Sequence, residues 1–451
     1  VKDVKTSLQY QAVTPGTQGS WAAAARLVRR TGFGATGTAI DAVASMGTAK
    51  YLATTLAADP TKDAGAIATP LPTFDSIAPV GKAADTAARK THNKQLQGQL
   101  QEMAGWWVRR MVSVEQPFGE KLTFCWHNHF ATSATKVRKA AWMVAQNQKL
   151  RTMGRGEFRP LALAMLTDAA MLFWLDGQKN TVGAPNENLA REFMELFVLG
   201  HGDGYTEQDV REGARALTGW RITPDGGTVL RPKLHDDGIK TMLGVTGDLD
   251  NVGYCDAILA RPASGPYIAT RMYGQLVSDH APTLAVVNAC VAGYGSSRNL
   301  TGMLSAMLGS TDFIAAAGTK VVSPVEWLIG AVRALKVPVP DQPAALKLLS
   351  VLRGLGEIPF YPPNVSGWPA GAAWLSTAAA DLRMSTAATL VRKADIDPVG
   401  SAPTSSRIDA VGHLLGVPAW SSRTAAVLKE AVADPARLVT IALNTPEYLT
   451  N

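Results

Sequence analysis

Along most of the chain apolar residues recur every three or four positions, the spacing that gives a helix one buried face. Over 18–58 this pattern predicts two or three short helices, separated by a turn at Gly32-Phe33-Gly34. Residues 59–82, rich in Pro, Ala and Thr, read as a loop. A long helix is expected over 83–112, where no proline intervenes and Leu96, Leu100, Met103, Trp107 and Met111 keep the helical step. Further helices are expected near 117–128, 136–150, 158–175, 187–199 and 206–218, and again from 265 to 335. Between 221 and 250 the pattern gives way to Gly, Pro and Asp with short Val/Leu patches, the mark of a small β-hairpin or an irregular excursion. Pro359, Pro362, Pro363 and Pro369 remove too many amide donors for a helix over 358–369, which should be an ordered loop. The Ala-rich remainder is helical again, broken near 400. The fold class is therefore mainly α: a large single-domain helical bundle or array over 18–451, preceded by an N-terminal extension over 1–17.

Composition narrows the function classes. Of 451 residues 46% are apolar and 18% charged, a globular balance with ample core. The net charge of +7 is spread along the chain rather than gathered in a stripe, which argues against nucleic acid and for weak attraction to acidic surfaces or glycans. The basic stretches at Arg29-Arg30, Arg109-Arg110 and Lys136–Lys139 read as solvated helix faces. Three cysteines, Cys125, Cys255 and Cys290, exclude a four-Cys zinc site and leave one disulfide open. No apolar run reaches membrane-spanning length. The start Val1-Lys2-Asp3 suits an exported protein whose signal peptide has been removed from the chain shown.

Three polar constellations could carry chemistry. The first is Trp126-His127-Asn128-His129. On a continuous helix the two histidines point about 200° apart and cannot share one ligand, so joint function needs the helix to end there. Packing of both rings, or capping of a helix end, is the structural alternative. The string is not read as a nuclease signature, whose residues are dispersed in sequence.

The second runs from Asn186 through Asn188, Arg191 and Glu192 to Glu195. On a 3.6-residue wheel Asn188, Arg191, Glu192 and Glu195 share a face about 100° wide, beside the apolar face of Leu189, Phe193, Leu196 and Phe197. Two carboxylates beside an Asn and an Arg suit acid/base work or a cation; the alternative is an Arg191/Glu195 surface pair, in the less favourable order. The third is His235-Asp236 with Lys240, on a Gly-flanked loop that is equally well a solvated turn. Thr206 with Asp209, and Ser323-Pro324-Val325-Glu326, read as capping boxes, which leaves Asp209 and Glu326 outside the site. Gly32-Phe33-Gly34-Ala35-Thr36-Gly37 follows a helix rather than a strand, so it is a helix-ending turn and not a dinucleotide fingerprint.

Taken in order, Arg29-Arg30-Thr31-Gly32-Phe33-Gly34, Trp126 to Phe130, Asn186 to Glu195, Tyr205-Thr206 with Asp209, Leu217 to Trp220, His235-Asp236 with Lys240, and Pro363-Asn364 with Gly367-Trp368-Pro369 make the chain resemble the bacterial family called domain of unknown function 1800. The resemblance covers nearly the whole length. It implies export, one large domain and a sulfatase-like partner protein, and it names no reaction. The chain departs from the family's usual His-Pro-x-Thr-Ala string at Asp279-His280-Ala281-Pro282-Thr283, so no role is assigned to His280.

Three readings follow. The first is an exported hydrolase acting on an extracellular or cell-envelope polymer such as a polysaccharide. Glu192, Glu195, His127, His129, His235 and Asp236 would be its catalytic groups, with Trp126, Asn128, Asn186, Asn188, Arg191, Lys240 and Trp368 holding substrate. The second is a divalent metal site (Zn, Mn or Fe) built from His127 or His129, Glu192, Glu195 and His235 or Asp236. The third is a non-catalytic exported scaffold whose polar motifs fix the helices.

Overall fold

The computed structural model describes residues 15–81, 85–202 and 204–450, so most of the extension expected over 1–17 lies outside the described residues. Among the described residues there are 25 α-helices, 62% helix in all, and the 4% of strand forms two small antiparallel hairpins. Both hairpins lie where periodicity fails: β1 (Trp220–Ile222) pairs with β2 (Thr228–Leu230), and β3 (Lys240–Met242) with β4 (Val245–Gly247). β3 lies against helix Glu207–Ala216. No helix among the described residues is long and apolar enough to cross a membrane, and the three cysteines are buried and unpaired.

The long helix spans Thr86–Ser113; its first turn is closed by Asp85, whose carboxylate accepts the Ala88 amide at 2.7 Å. The five apolar residues that predicted it are all buried, and it packs on helix Gln342–Leu355. Elsewhere apolar periodicity runs on across breaks made by polar residues. The stretch 158–175 divides into Phe158–Leu166 and Ala169–Trp174 because Asp168 caps the second helix, accepting the Met171 amide at 3.0 Å. The stretch 136–150 divides into Ala134–Val137 and Ala140–Met153, with Arg138 left-handed at φ 50° between them. The segment 187–199 starts as helix Asn188–Glu192 and continues over Phe193–Val198 as a π-helix. Within the loop 59–82 a short helix, Ala64–Ala68, forms behind Asp63. The proline-rich stretch 358–369 is indeed non-helical.

One expectation about charge is corrected. Arg29, Arg30 and Arg110 are not on solvated faces but are 6%, 1% and 4% exposed. They are stable there because each donates to backbone carbonyls: Arg30 to Leu276 and Gln275, Arg29 to Glu447 and Tyr448, Arg110 to Ala66 and Thr69.

Helix Phe118–His129 sits between the two largest apolar clusters, contributing Phe118, Leu122, Cys125 and Trp126 to one and Phe124 to the other. Eleven of its twelve residues are buried. A helix covered on all sides is normally apolar all round. This one carries Glu120, Lys121, Thr123, His127 and His129, so each needs a partner inside the protein.

Candidate functional site

At about 100° per residue, helix Phe118–His129 presents three stripes. Along the first, Glu120 meets the helix Thr86–Ser113. Its carboxylate accepts from Trp107 Nε1 (2.8 Å), Arg110 Nε (2.7 Å) and, as a fork, Arg151 Nε and Nη2 (both 2.7 Å). Burial alone would raise this carboxyl, but Arg151 and Arg110 override it and hold Glu120 down to about 2. Two turns on, His127 packs against Trp107, Phe360 and Trp368. Its Nε2 accepts the Phe360 amide at 3.2 Å, which requires a neutral ring protonated on Nδ1. Burial lowers its pKa to about 3.

The second stripe is core. Trp126 is fully buried with its indole N–H on the Gly154 carbonyl at 2.8 Å, and His129 Nε2 donates to the Phe197 carbonyl at 2.9 Å. Burial, with the charge of Arg271, lowers His129 to about 3. The helix runs through both histidines, so they face different neighbours, as the geometry of a continuous helix demands.

The third stripe, Lys121, Phe124, Cys125 and Asn128, floors a cavity of about 320 Å³. A second wall comes from Thr270, Arg271, Gly274 and Gln275 on helix Ser264–Leu276 and from Ser278 to Pro282 after it. A third comes from Lys320, Val321, Ser323 and Glu326, where helix Pro324–Ala334 begins. Glu357, Trp368 to Ala370 and Trp374 complete it. The loop wall is anchored on the floor: Asn128 Oδ1 accepts the Trp368 amide at 2.7 Å, and Phe360, held by His127, is left-handed at φ 73°. Gly367 has φ 91°, and a Cβ there would collide with Asn128 Oδ1, so the approach requires glycine.

Charge is concentrated here. Lys121 contacts Glu326, whose other oxygen closes the capping box on the Ser323 amide at 2.9 Å; Arg30 stands 3.6 Å from the same carboxylate. Lys320 pairs with Asp279 at 2.9 Å, and Asp279 also accepts the Val321 amide at 2.7 Å. Burial and then Arg30 push Lys121 well below the usual ammonium range, against the smaller opposing pulls of Cys125 and Glu357. Glu357 accepts the Val325 amide at 2.8 Å, yet burial outweighs this and the attraction of Lys121 and Lys320, and raises its carboxyl to about 7. Burial also raises the Cys125 thiol.

Of the residues singled out from sequence, Asn128 and Trp368 line this cavity and His127 positions its loop; the others lie elsewhere. Glu192 and Glu195 are half-buried neighbours, and burial with the nearby Glu195 charge raises the Glu192 carboxyl. Glu195 also contacts His201. Arg191 does not pair with Glu195. It forks instead between Glu187 (2.8 Å), the favourable Glu-first order, and Glu207 (2.7 and 2.8 Å). The π-helix that begins at Phe193 ends the 3.6-residue repeat on which their shared face was drawn. Asn186 and Asn188 build the helix entry: Asn180 Oδ1 accepts the Asn186 amide at 2.9 Å, and Asn186 Oδ1 the Asn188 amide at 3.1 Å.

His235 Nδ1 donates to the Thr218 carbonyl at 2.9 Å, Asp236 is gripped in a fork by Arg215 at 2.8 and 3.0 Å, and Lys240 bonds Asp248 and the Gly238 carbonyl, both at 3.0 Å. These contacts make the His-Asp loop a clasp on helix Glu207–Ala216. Among the described residues no group of three or more His, Cys, Asp or Glu could hold a metal ion, so the ligand set drawn from His127 or His129, Glu192, Glu195 and His235 or Asp236 is not gathered.

Sequence reasoning missed Lys121, Asp279, Lys320, Glu326 and Glu357. Glu326 was explained by its capping role, which it fills while also meeting Lys121. The available signal was the Arg29-Arg30 motif, whose second arginine reaches Glu326, and the polar segment at Asp279-His280, which lines the cavity.

A family model described as protein of unknown function (DUF1800) matches residues 26–450. No curated protein and no solved structure matches the chain.

Proposed function

The chain belongs to the DUF1800 family over nearly its whole length, and from that premise we propose that it is an exported hydrolase acting on an extracellular or cell-envelope polysaccharide, with its acid–base groups in the charged cavity. The observation that carries this reading is a carboxyl raised to about 7 sharing one cavity with an amine pushed well below its usual range. Oppositely displaced groups of this kind can supply a proton donor and a proton acceptor at neutral pH. Trp368 and Trp374 on the wall suit the apolar faces of sugar rings.

In the step envisaged, the oxygen of a water molecule bonds to the anomeric carbon as the bond from that carbon to the leaving sugar oxygen breaks. Glu357 gives its proton to the leaving oxygen. The Lys121–Glu326 pair takes the proton released by the water, and exchange with solvent restores both groups.

The test is release of reducing ends from bacterial envelope and extracellular polysaccharides. Glu357→Gln should lower turnover by about a hundredfold or more, the ordinary contribution of a general acid. Glu192 supports a second placement of the acid, since its carboxyl is also raised. Full turnover in Glu357→Gln with loss in Glu192→Gln would move the chemistry to the π-helix, and no release from any polymer by the wild type would overturn the hydrolase reading.

A further inference from the structure

The cavity wall has two hydrogen-bond donors with nothing to donate to. Arg271 lines it from helix Ser264–Leu276, its Nε is buried without a partner, and no carboxylate among the described residues pairs with it. Trp368 faces the same cavity from the proline-rich loop; it is 6% exposed, and its buried indole N–H is also unpartnered. Every other cation of the wall is matched, Lys121 by Glu326 and Lys320 by Asp279. Arg271 is thus the one lysine or arginine lining the cavity that has no carboxylate partner among the described residues.

Buried donors are almost always satisfied, and those that are not call for an explanation. Water could serve each donor singly, but a guanidinium without a carboxylate and an aromatic N–H lining one cavity are the donor types that recognise an oxyanion, which takes a planar fork and a further donor together.

We infer that the cavity binds an oxyanion group of its substrate, a carboxylate or phosphate borne by a sugar, through Arg271 and the Trp368 indole N–H, so that the polymer is an acidic glycan. The inference rests on the proposed function for the word glycan and on the two orphan donors for the charge. It also fits the acid assigned to Glu357. An anion in the same cavity disfavours ionisation of that carboxyl and keeps its proton in place at neutral pH.

The experiment is calorimetric titration of the full chain, and separately of Glu357→Gln, with glucuronate, glucose, glucose 6-phosphate and inorganic phosphate. Glucuronate or glucose 6-phosphate should bind about tenfold or more tightly than glucose, the size of a charge-assisted bond. Arg271→Gln should erase that preference with the melting temperature unchanged, and Trp368→Phe should weaken it by about threefold, the size of a neutral bond. Preference for glucuronate assigns a carboxylate; preference for glucose 6-phosphate, with competition by inorganic phosphate, assigns a phosphate. Equal binding of charged and neutral sugars, no binding of either, or a preference that survives Arg271→Gln overturns the inference. Because binding is read on Glu357→Gln as well, that outcome is separate from failure of the catalytic assignment, which shows as unchanged turnover in the same variant.

Discussion

Glu120 and Lys121 are neighbours on one helix, both are almost fully buried, and they lead to opposite kinds of environment. Around Glu120 every carboxylate oxygen is met twice, by two arginines and an indole N–H, and the spare donors of Arg110 end on backbone carbonyls. Around Lys121 the charges are just as buried, but they border open volume, one carboxyl is displaced to about 7, and two donors on the wall are unmet. Burial of charge therefore does not mark a working site by itself. Saturation marks a strut, and incompleteness beside a cavity marks a place built for something else.

The comparison breaks most visibly if Glu120 proves dispensable. Glu120→Ala leaves two buried guanidinium groups without their anion and should cost about 3–5 kcal/mol in urea unfolding. A loss below about 1 kcal/mol, the scale of a surface pair, would mean the hub is not the strut described.

The pH dependence of stability separates the two regions by sign. Unfolded, Glu120 takes up its proton near 4.5; folded, near about 2, so its contribution is complete above pH 4.5 and is lost as pH falls toward 2. Glu357 releases its proton near 4.5 when unfolded and near about 7 when folded, so the native state binds the extra proton between those values and stability falls as pH rises through them. Each limb is on the order of 3 kcal/mol. Glu357→Gln should flatten the neutral limb and leave the acid limb intact, as read from denaturant midpoints across pH 2–8; an unchanged neutral limb would remove Glu357 from its displaced state.

His127→Ala sharpens the comparison, because His127 lies on the saturated side yet holds the loop on the other. Leaving the left-handed Phe360 without an acceptor for its amide should cost about 2 kcal/mol. The smallest effect is expected for Gly367→Ala, about 1–2 kcal/mol from φ strain and displacement of Asn128. Both should weaken sugar binding though neither residue is assigned contact with substrate. Calorimetry that finds binding intact in a folded His127→Ala would uncouple the loop from the cavity.

Much of the helical fold was legible because apolar periodicity is a local signal. Leu96 to Met111 and the capping residues Thr206 and Ser323 read directly into structure. The breaks at Asp168 and Arg138 were not legible, since the apolar pattern continues across them. The site was harder still. The motifs His127 to His129 and Asn186 to Glu195 stand out in sequence because their polar residues are adjacent, whereas the cavity draws Lys121, Asp279, Lys320, Glu326 and Glu357 from four separate segments, each inconspicuous in its own neighbourhood. Glu326 shows the difficulty: a residue with a sufficient local explanation can carry a second, distant contact that no local pattern reveals.

The three-striped helix has a consequence for how the gene can change. Adding or deleting one residue near its middle would swing everything downstream by about 100°, pointing Asn128 away from its loop and the neutral imidazoles at the wrong neighbours. Length variation should therefore be tolerated in the hairpins at 220–247 and refused between 118 and 129, where the chain behaves like a key whose teeth are cut on three sides at once.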